Sequence, residues 1–279
     1  MLKRLFSYNI ALVSLLLKSC SLPEGMSSGY RIQDGKVMLY TGFPAQKREV
    51  GQADANSFEA INAEYGKDKN HVFLLGDIIK NADPTTFVHM ANTFAKDRNH
   101  GFINGKMVSS DPAHFSIVPN PNETPNNVSA EGIVYARDSR NVFTYNGDVL
   151  TGADPATFRF VPMFNGYSLA VDKHYVYFQH RPLQNIDGQT FTKLSDIYFK
   201  DKTAVWMLSL GKDVQWITIP EADVATFKSL KKWYAKDKNH VYYERNIVEG
   251  ADPATFKEME NGEGQDKNNT YQSGKLKAK

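Results

Sequence analysis

The sequence predicts a mainly β protein of tandem antiparallel β-meanders, each with about three short strands and one short helical turn. Two spaced motifs recur along nearly the whole chain, and aromatic residues accompany each of them at fixed positions. Self-similarity at intervals of 20–50 residues is typical of repeat architectures. The intervals vary from 29 to 41 residues. This variation favours an open curved array, with a propeller-like closed ring as the alternative.

The first motif is a turn aspartate between two aromatic segments. In Asp237-Lys238-Asn239 the carboxylate is placed to accept a hydrogen bond from a backbone N–H two residues on, and the asparagine tolerates the left-handed region. An aromatic residue follows five positions later in each unit from Asp68 onward, which predicts a hairpin around each turn. Asp34, at an Asp-Gly turn, begins this series. The predicted structural turn residues are Asp68, Asp97, Asp138, Asp172, Asp201, Asp237 and Asp266.

The second motif is Asp-x-x-x-Phe. In Ala251-Asp-Pro-Ala-Thr-Phe256 the aspartate is the predicted N-cap of one helical turn, and proline occupies the first helical position, where its missing N–H costs nothing. Ala251 and Phe256 have the spacing of a hydrophobic staple, which would hold the turn against the sheet. The predicted structural caps are Asp54, Asp83, Asp111, Asp154, Asp187, Asp223 and Asp252.

Residues 1–20 have the pattern of a bacterial lipoprotein signal peptide. Lys3 and Arg4 precede an apolar stretch of 13 residues, which is too short for an ordinary membrane-spanning helix. Leu17-Lys-Ser-Cys20 resembles the lipobox, although lysine replaces the usual small residue before Ser19. That resemblance implies that Cys20, the sole cysteine, carries acyl chains such as palmitate and attaches the chain to a membrane. A plain secretory leader is the alternative.

The remaining sequence divides into a tether and a repeat domain. Residues 21–29 form the predicted tether, and residues 30–279 form the repeat domain. Residues 119–130 contain a segment rich in proline and asparagine. This segment is either an internal break between two groups of repeats or an ordinary inter-strand loop. Because serine follows Cys20, enteric sorting rules favour the outer membrane as the location within the cell envelope.

The two motifs together resemble the DKNYY family. Asp-Lys-Asn followed by aromatics and then Gly-Ala-Asp-Pro-x-Thr-Phe recur from about Tyr30 to Tyr271, and the unit that starts at Asp201 departs from the pattern. The resemblance implies a repeat fold and an envelope setting. It implies no catalytic residues.

No residue pattern identifies a catalytic or metal site, and no cofactor is predicted. His71, His100 and His240 share one repeat position, but other units place alanine or tyrosine there, so we interpret them as surface residues. The aspartates lack the oxygen pattern of a calcium loop, and no Gly-x-Ser-x-Gly motif is present. If aromatic side chains bind a ligand, the best candidates are next to the core positions in sequence and should point to the other face of the sheet, away from the core: Tyr40, Phe178 and Tyr243.

Composition narrows the function without naming it. The net charge of the whole chain is +2, and without residues 1–20 it is about −1, so no global attraction to nucleic acid is expected. The favoured hypothesis is a non-catalytic envelope lipoprotein whose repeats bind an unidentified envelope protein or glycan, or support envelope structure. The alternatives are an envelope hydrolase with a loop-built site and a carbohydrate-binding module with a row of exposed aromatics.

Overall fold

The computed structural model describes residues 28–120, 135–163, 168–210 and 214–277. Cys20, most of the tether and most of segment 119–130 lie outside these ranges. All regular secondary structure in the described residues is β, in 30 strands. None of the described segments forms a helix long and apolar enough to cross a bilayer.

The chain divides into two compact units, residues 1–89 and 90–279, and the boundary falls inside β8. The strands up to that boundary are β1 (Gly29–Gln33), β2 (Lys36–Thr41), β3 (Gln46–Glu49), β4 (Glu59–Ala60), β5 (Tyr65–Lys67), β6 (Val72–Leu74), β7 (Asp77–Ile78) and β8 (Val88–Ala91).

The second unit holds the other 22 strands. They are β9 (Phe94–Lys96), β10 (Gly101–Ile103), β11 (Lys106–Ser109), β12 (Ser116–Ile117), β13 (Ala136–Arg137), β14 (Val142–Phe143), β15 (Arg159–Val161), β16 (Leu169–Val171), β17 (Val176–Phe178), β18 (Arg181–Pro182), β19 (Thr192–Lys193), β20 (Tyr198–Lys200), β21 (Val205–Leu210), β22 (Val214–Thr218), β23 (Lys228–Ser229), β24 (Tyr234–Lys236), β25 (Val241–Tyr243), β26 (Asn246–Ile247), β27 (Lys257–Glu258), β28 (Glu263–Gln265), β29 (Thr270–Gln272) and β30 (Lys275–Leu276).

Each sheet is an antiparallel meander of strands that are consecutive in the sequence. We number the sheets in chain order: sheet 1 is β1–β3, sheet 2 is β4–β7, sheet 3 is β8–β11, sheet 4 is β12–β14, sheet 5 is β15–β18, sheet 6 is β19–β22, sheet 7 is β23–β26 and sheet 8 is β27–β30.

The strand pairing confirms the tandem meanders, with one correction to the strand count. Six of the eight described sheets have four strands rather than the predicted three. The additional strand directly follows the phenylalanine of the second motif, and it is only two residues long in most sheets, as in β27. A two-residue strand has no visible alternation of apolar residues, so the sequence pattern does not reveal it.

The pairing is also local at both ends of the series. Thr270 pairs with Gln265 in the neighbouring strand of its own sheet, and Arg31 pairs with Met38 in the first hairpin. No described sheet closes on itself. These pairings are consistent with the open array of repeats that the variable spacing predicts.

The second motif forms a single hydrogen-bonded turn and no longer helix. The carbonyl oxygen of Asp252 accepts from the N–H of Thr255 at 3.3 Å and from the N–H of Phe256 at 3.0 Å. The next residue, Lys257, already begins β27. The helical conformation therefore stops after one turn because the chain continues directly into a strand.

The hairpin turns are of two kinds. Asp34 and Gly35 have φ values of 52° and 72°, and Gln33 pairs with Lys36, as expected for a two-residue Asp-Gly hairpin. Asp34 is exposed, however, unlike the other turn aspartates, so it does not belong to their series. The expected left-handed asparagine is also absent from the Asp237 turn, because Asn239 is not among the described residues with positive φ.

The core lies between successive sheets. Phe256 packs between Tyr234 of sheet 7 and Tyr271 of sheet 8, with ring centroids 5.0 and 5.7 Å apart. Phe227 lies in the same way between Tyr198 and Tyr242, at 5.6 and 5.4 Å. These four tyrosines are fully buried, and Phe227 and Phe256 are only 3% and 2% exposed, so each of the two phenylalanines joins the apolar faces of two meanders.

Candidate functional site

The structure brings the two aspartate motifs together. In the best-formed example, Asp237 Oδ2 accepts the backbone N–H of Asp223 and the hydroxyl of Tyr242, each at 2.8 Å. Its Oδ1 accepts the N–H groups of Asn239 and His240, both at 2.7 Å. One buried carboxylate therefore fixes its own hairpin turn and the helical turn that precedes it. We call this arrangement the aspartate node.

The cap aspartate of the node has different partners. Asp223 Oδ1 accepts the N–H of Thr226 at 2.9 Å and its hydroxyl at 2.7 Å, while Oδ2 forms an ion pair with Lys238 Nζ at 2.8 Å. The backbone N–H of Lys238 donates to Thr226 Oγ1 at 3.1 Å. The side chains of Asp223, Thr226 and Lys238 are thus all bonded within the node.

The node recurs through both units. The defining bond from the N–H of the cap aspartate to the carboxylate of the turn aspartate joins Asp54 to Asp68 at 2.9 Å, Asp154 to Asp172 at 2.7 Å, Asp187 to Asp201 at 2.6 Å and Asp252 to Asp266 at 2.9 Å.

The two remaining pairs of cap and turn aspartates are Asp111 with Asp138, and Asp83 with Asp97. Ser109 mediates the contact between Asp111 and Asp138, because its hydroxyl donates to Asp138 Oδ2 at 2.7 Å and accepts the N–H of Asp111 at 3.0 Å. Asp83 belongs to the first unit and Asp97 to the second. Asp83 accepts the hydroxyl of Thr86 at 2.8 Å, and Asp97 accepts backbone N–H groups of its own turn at 2.7 Å.

The hydrogen bonds keep both carboxylates ionised. Burial alone would raise the pKa of Asp237, but the donated bonds from Asp223, His240, Tyr242 and Asn239 outweigh it and lower the pKa. The hydrogen bond with Lys238 is the main reason that the pKa of Asp223 falls to about 2. Neither carboxylate is therefore poised to exchange a proton near neutral pH.

A cation before the turn aspartate adds a further link between sheets. Lys236 Nζ donates to the carbonyl oxygens of Pro253 and Phe256 at 2.7 and 3.0 Å. Arg137 donates in the same way to the carbonyl of Pro155 at 2.8 Å. Each cation thus satisfies carbonyl groups of the next helical turn, which lack partners within so short a turn.

A second contact between sheets is made by a buried tyrosine three positions before the turn aspartate. The Tyr234 hydroxyl donates to the carbonyl of Gly262 at 3.1 Å and accepts the N–H of Gly274 at 2.9 Å. In the first unit, Tyr30, which is half-buried and lies four positions before Asp34, makes the same two bonds with Glu64 and Gly76, at 3.0 and 2.7 Å. We call this contact the tyrosine clasp.

One tyrosine clasp uses side chains. The Tyr135 hydroxyl lies 2.8 Å from Ser168 Oγ and 2.9 Å from His180 Nδ1. His180 has a φ of 64°, and the corresponding residue of the Tyr234 clasp is Gly274, with a φ of 76°. Burial raises the pKa of Tyr135 to about 12 and lowers the pKa of His180. A titratable imidazole therefore joins this clasp, in which the backbone of His180 also bonds the Tyr135 hydroxyl.

The histidines and the aromatic candidates have separate surroundings. His71, His100 and His240 are half-buried at the surface, with their rings about 6 Å from those of Phe73, Phe102 and Tyr242. No group of three or more potential metal ligands is found in the described part of the chain.

The aromatic candidates for a ligand have different surroundings from those expected. Phe178 is buried beside Trp216, with ring centroids 5.8 Å apart, so the expectation that it faces away from the core was wrong. Tyr243 is half-buried against Tyr234, at 4.9 Å. Tyr40 is half-buried beneath the guanidinium of Arg31, at 4.6 Å.

Two features of the sequence could have indicated the node. The residue two positions before the turn aspartate is small in six units, and an added Cβ at Gly66 or Gly264 would overlap the ring of Phe58 or Phe256. The lysine that follows the turn aspartate in five units is the second signal. In the structure its partner is the cap aspartate, as in the pair Lys202–Asp187 at 2.8 Å.

One repeat retains the node with a different core. Between sheets 5 and 6 the clasp position holds Leu169, which has no hydroxyl, and Phe191 stacks on Phe199 at 5.7 Å with a 12° interplanar angle. Trp206 and Trp216 complete this cluster. The strands here are also longer, with six residues in β21 and five in β22.

Comparison with known proteins identifies the family. The sequence matches the DKNYY family over residues 30–180 and 211–275, and the chain belongs to this family. The interval between the two matched segments contains the turn at Asp201. No curated protein and no solved structure matches the chain.

Proposed function

We propose that this protein is a non-catalytic lipoprotein of the bacterial cell envelope whose repeats form a scaffold that binds an envelope protein. The observation that carries the proposal is the repeated aspartate node. A general base or nucleophile needs an accessible lone pair and a pKa near the working pH. The node carboxylates instead accept structural hydrogen bonds, and the pKa values of Asp154, Asp187 and Asp223 fall to about 2, with a lysine partner as the largest cause.

The even distribution of these groups supports a scaffold over a hydrolase. A hydrolase requires convergence of unlike groups at one place, whereas the same bonds recur in nodes from Asp54 to Asp266. A hydrolase site built from residues 119–130 would fall mostly outside the described residues. Release of a soluble product from envelope polymers by the purified protein would favour the hydrolase.

The exposed aromatic residues favour a protein partner over a glycan. A glycan-binding row would use equivalent positions of successive repeats. In the described residues, the aromatic side chains classed as exposed are Phe43, Tyr145 and Tyr175, which occupy three different positions relative to the motifs. Photo-crosslinking residues at Tyr145 and Tyr175 should capture the same envelope protein in intact cells. Retention on envelope glycans without a protein adduct would instead favour the carbohydrate-binding alternative.

Membrane attachment is proposed to occur through acylation of Cys20, at the outer membrane by the sorting preference for serine. Cys20→Ala should abolish palmitate labelling and move the protein from the membrane to the soluble envelope fraction, because the chain has no other cysteine. Ser19→Ala is the matched control, since it keeps a small residue before the cysteine. Unchanged membrane retention without label in the wild-type protein would contradict lipidation.

A further inference from the structure

The tip of the hairpin between β2 and β3 exposes a large apolar side chain. Phe43 is 93% exposed, the largest fraction among the exposed large hydrophobic residues described. The tip reads Gly42-Phe-Pro-Ala45, and no charged residue lies between Thr41 and Gln46. Single exposed apolar residues are normal on soluble proteins. The position and the charge of this tip set it apart.

The N-terminal segment joins the fold at the same end of sheet 1. Gly29, the first residue of β1, pairs with Tyr40, and Tyr40 pairs with Lys47 across the next strand. The tip follows Tyr40 by two residues. The eight residues between Cys20 and Gly29 span at most about 30 Å when extended. A membrane-attached Cys20 would therefore hold this end of the sheet near the bilayer.

The two ends of sheet 1 also differ in charge. Lys47 is exposed next to the tip, and Arg31 lies over the ring of Tyr40, the residue paired with Lys47. At the other end, Asp34 forms the hairpin turn, and Lys36 forms an ion pair with Glu49 at 2.7 Å. The charged residues of β3 nearest the tip, Lys47 and Arg48, are thus basic, and the carboxylates of sheet 1, Glu49 and Asp34, lie farther from it. Basic residues beside an apolar tip suit the anionic surface of a membrane.

We propose that residues 42–45 are a membrane-contacting tip, with Phe43 inserted at the bilayer interface and Lys47 at the lipid headgroups. The proposal rests on the proposed attachment through Cys20. Acyl chains and a second apolar or basic contact act together on membranes. The tip would add that second contact and fix the orientation of sheet 1 relative to the bilayer.

Depth-dependent quenching of tryptophan fluorescence tests whether the tip enters the bilayer. The acylated full-length mature protein carrying Phe43→Trp is placed on vesicles of phosphatidylethanolamine and phosphatidylglycerol that contain brominated acyl chains. The emission from Trp206, Trp216 and Trp233 is subtracted with the wild-type protein. The emission added by Phe43→Trp should shift to the blue and be quenched. Ile32→Trp, at a residue that is 54% exposed near the opposite end of sheet 1, is the matched control and should not be quenched.

The outcomes separate the tip from the lipid attachment. Unquenched emission from Phe43→Trp in protein that stays on the vesicles would overturn the tip and leave the attachment intact. Quenching with unacylated protein would support the tip as a contact that acts without the acyl chains, whereas neither quenching nor retention of the acylated protein would overturn both the tip and the attachment. Lys47→Glu should weaken the quenching on anionic vesicles and leave it unchanged on phosphatidylcholine. Equal quenching on both would overturn the headgroup contact.

Discussion

Two repeats of this molecule share one polar node but have different cores. Between sheets 7 and 8, Phe256 lies between two buried tyrosines, and the Tyr234 hydroxyl clasps backbone groups of the next sheet. Between sheets 5 and 6 the clasp position is Leu169, and an aromatic cluster around Trp216 fills the space. The bond from the cap aspartate to the turn aspartate is 2.9 Å long in the first case and 2.6 Å in the second.

The comparison shows which part of the repeat sets the geometry. Hydrogen bonds to a buried carboxylate need fixed distances and directions, so the node admits few alternatives. An apolar core accepts different side chains as long as their total volume fills the space. We infer that the node defines how successive sheets are joined, while the aromatic residues adjust to the volume that remains.

The largest expected effect follows from removing a buried carboxylate. Asp237→Ala leaves the N–H groups of Asp223, Asn239 and His240 without their acceptor, and it should lower the local free energy of unfolding by about 3 kcal/mol. Asp201→Ala should cost a similar amount, because its carboxylate accepts the three corresponding N–H groups, from Asp187, Thr203 and Ala204. Hydrogen exchange of peptides from each hairpin measures both effects, since repeat proteins open locally.

Arg245→Ala, at an exposed hairpin residue, is the control and should change exchange little. A large loss of protection from hydrogen exchange in Asp237→Ala, with a negligible loss in Asp201→Ala, would show that the stability of the node depends on the aromatic residues around it. The inference that the node sets the geometry would then be wrong.

The next effect concerns the tyrosine clasp. Tyr234→Phe removes a hydroxyl that bonds the carbonyl of Gly262 and the N–H of Gly274, so we expect a loss of about 1–3 kcal/mol. The reverse change, Leu169→Tyr, should also destabilise, because Phe178 and Trp216 already fill the cluster. Denaturant unfolding measures both variants. Tyr243→Phe is the control on the neighbouring ring, and a gain of stability in Leu169→Tyr would contradict the tight cluster.

Much of the fold could be predicted because its signals are local. Asp-Lys-Asn turns, aromatic strands and Asp-Pro caps each act within a few residues, so their spacing revealed the tandem meanders. The four-stranded sheets were missed because β23 and β27 have only two residues each. The Asp-Lys-Asn turn closes through the predicted bond from the N–H of Asn239 to Asp237, and Asn239 makes it without a positive φ.

The node and the clasp could not be predicted from local sequence patterns, because their hydrogen bonds join separate motifs or residues far apart in the sequence. The sequence separated Asp223 from Asp237 as two motifs, and only the meander that joins them brings the first N–H to the second carboxylate. The hydroxyl of Tyr234 reaches a residue 40 positions away. Small residues such as Gly264 indicated a close approach, but they did not identify Phe256 as the neighbour.

A smaller effect is expected from the cap aspartates. Asp154→Ala and Asp187→Ala each remove an acceptor for the N–H and hydroxyl of a threonine, Thr157 or Thr190. The expected cost is about 0.5–2 kcal/mol in either repeat, and the ion pairs with lysine add little because they are exposed. Thermal unfolding measures the loss. An unchanged unfolding temperature combined with loss of partner binding would show that these aspartates serve binding rather than stability.

The same caps predict sensitivity to acid. Hydrogen bonds with Lys173 and Lys202 are the main reason that the pKa values of Asp154 and Asp187 fall from 3.8 to about 2. A carboxyl with a depressed folded-state pKa contributes stability above its unfolded pKa and loses it as the pH falls through the folded value. The stability of the two nodes that contain Asp154 and Asp187 should therefore decline between about pH 4 and pH 2. A steeper decline in one repeat would show that the nodes are electrostatically different.

The smallest expected effect is a difference in pH dependence between two tyrosine clasps. Tyr234 bonds backbone groups, which do not titrate near neutrality, whereas Tyr135 bonds His180 Nδ1. Burial lowers the pKa of His180 from 6.5, so below pH 6.5 the unfolded chain binds more protons and the native state loses stability. Hydrogen exchange of peptides from 168–183 should accelerate as the pH falls below 6.5, after correction for intrinsic exchange, while peptides from 257–277 should not. His180→Gln should remove the difference, and a persistent difference in that variant would assign the pH dependence to another group.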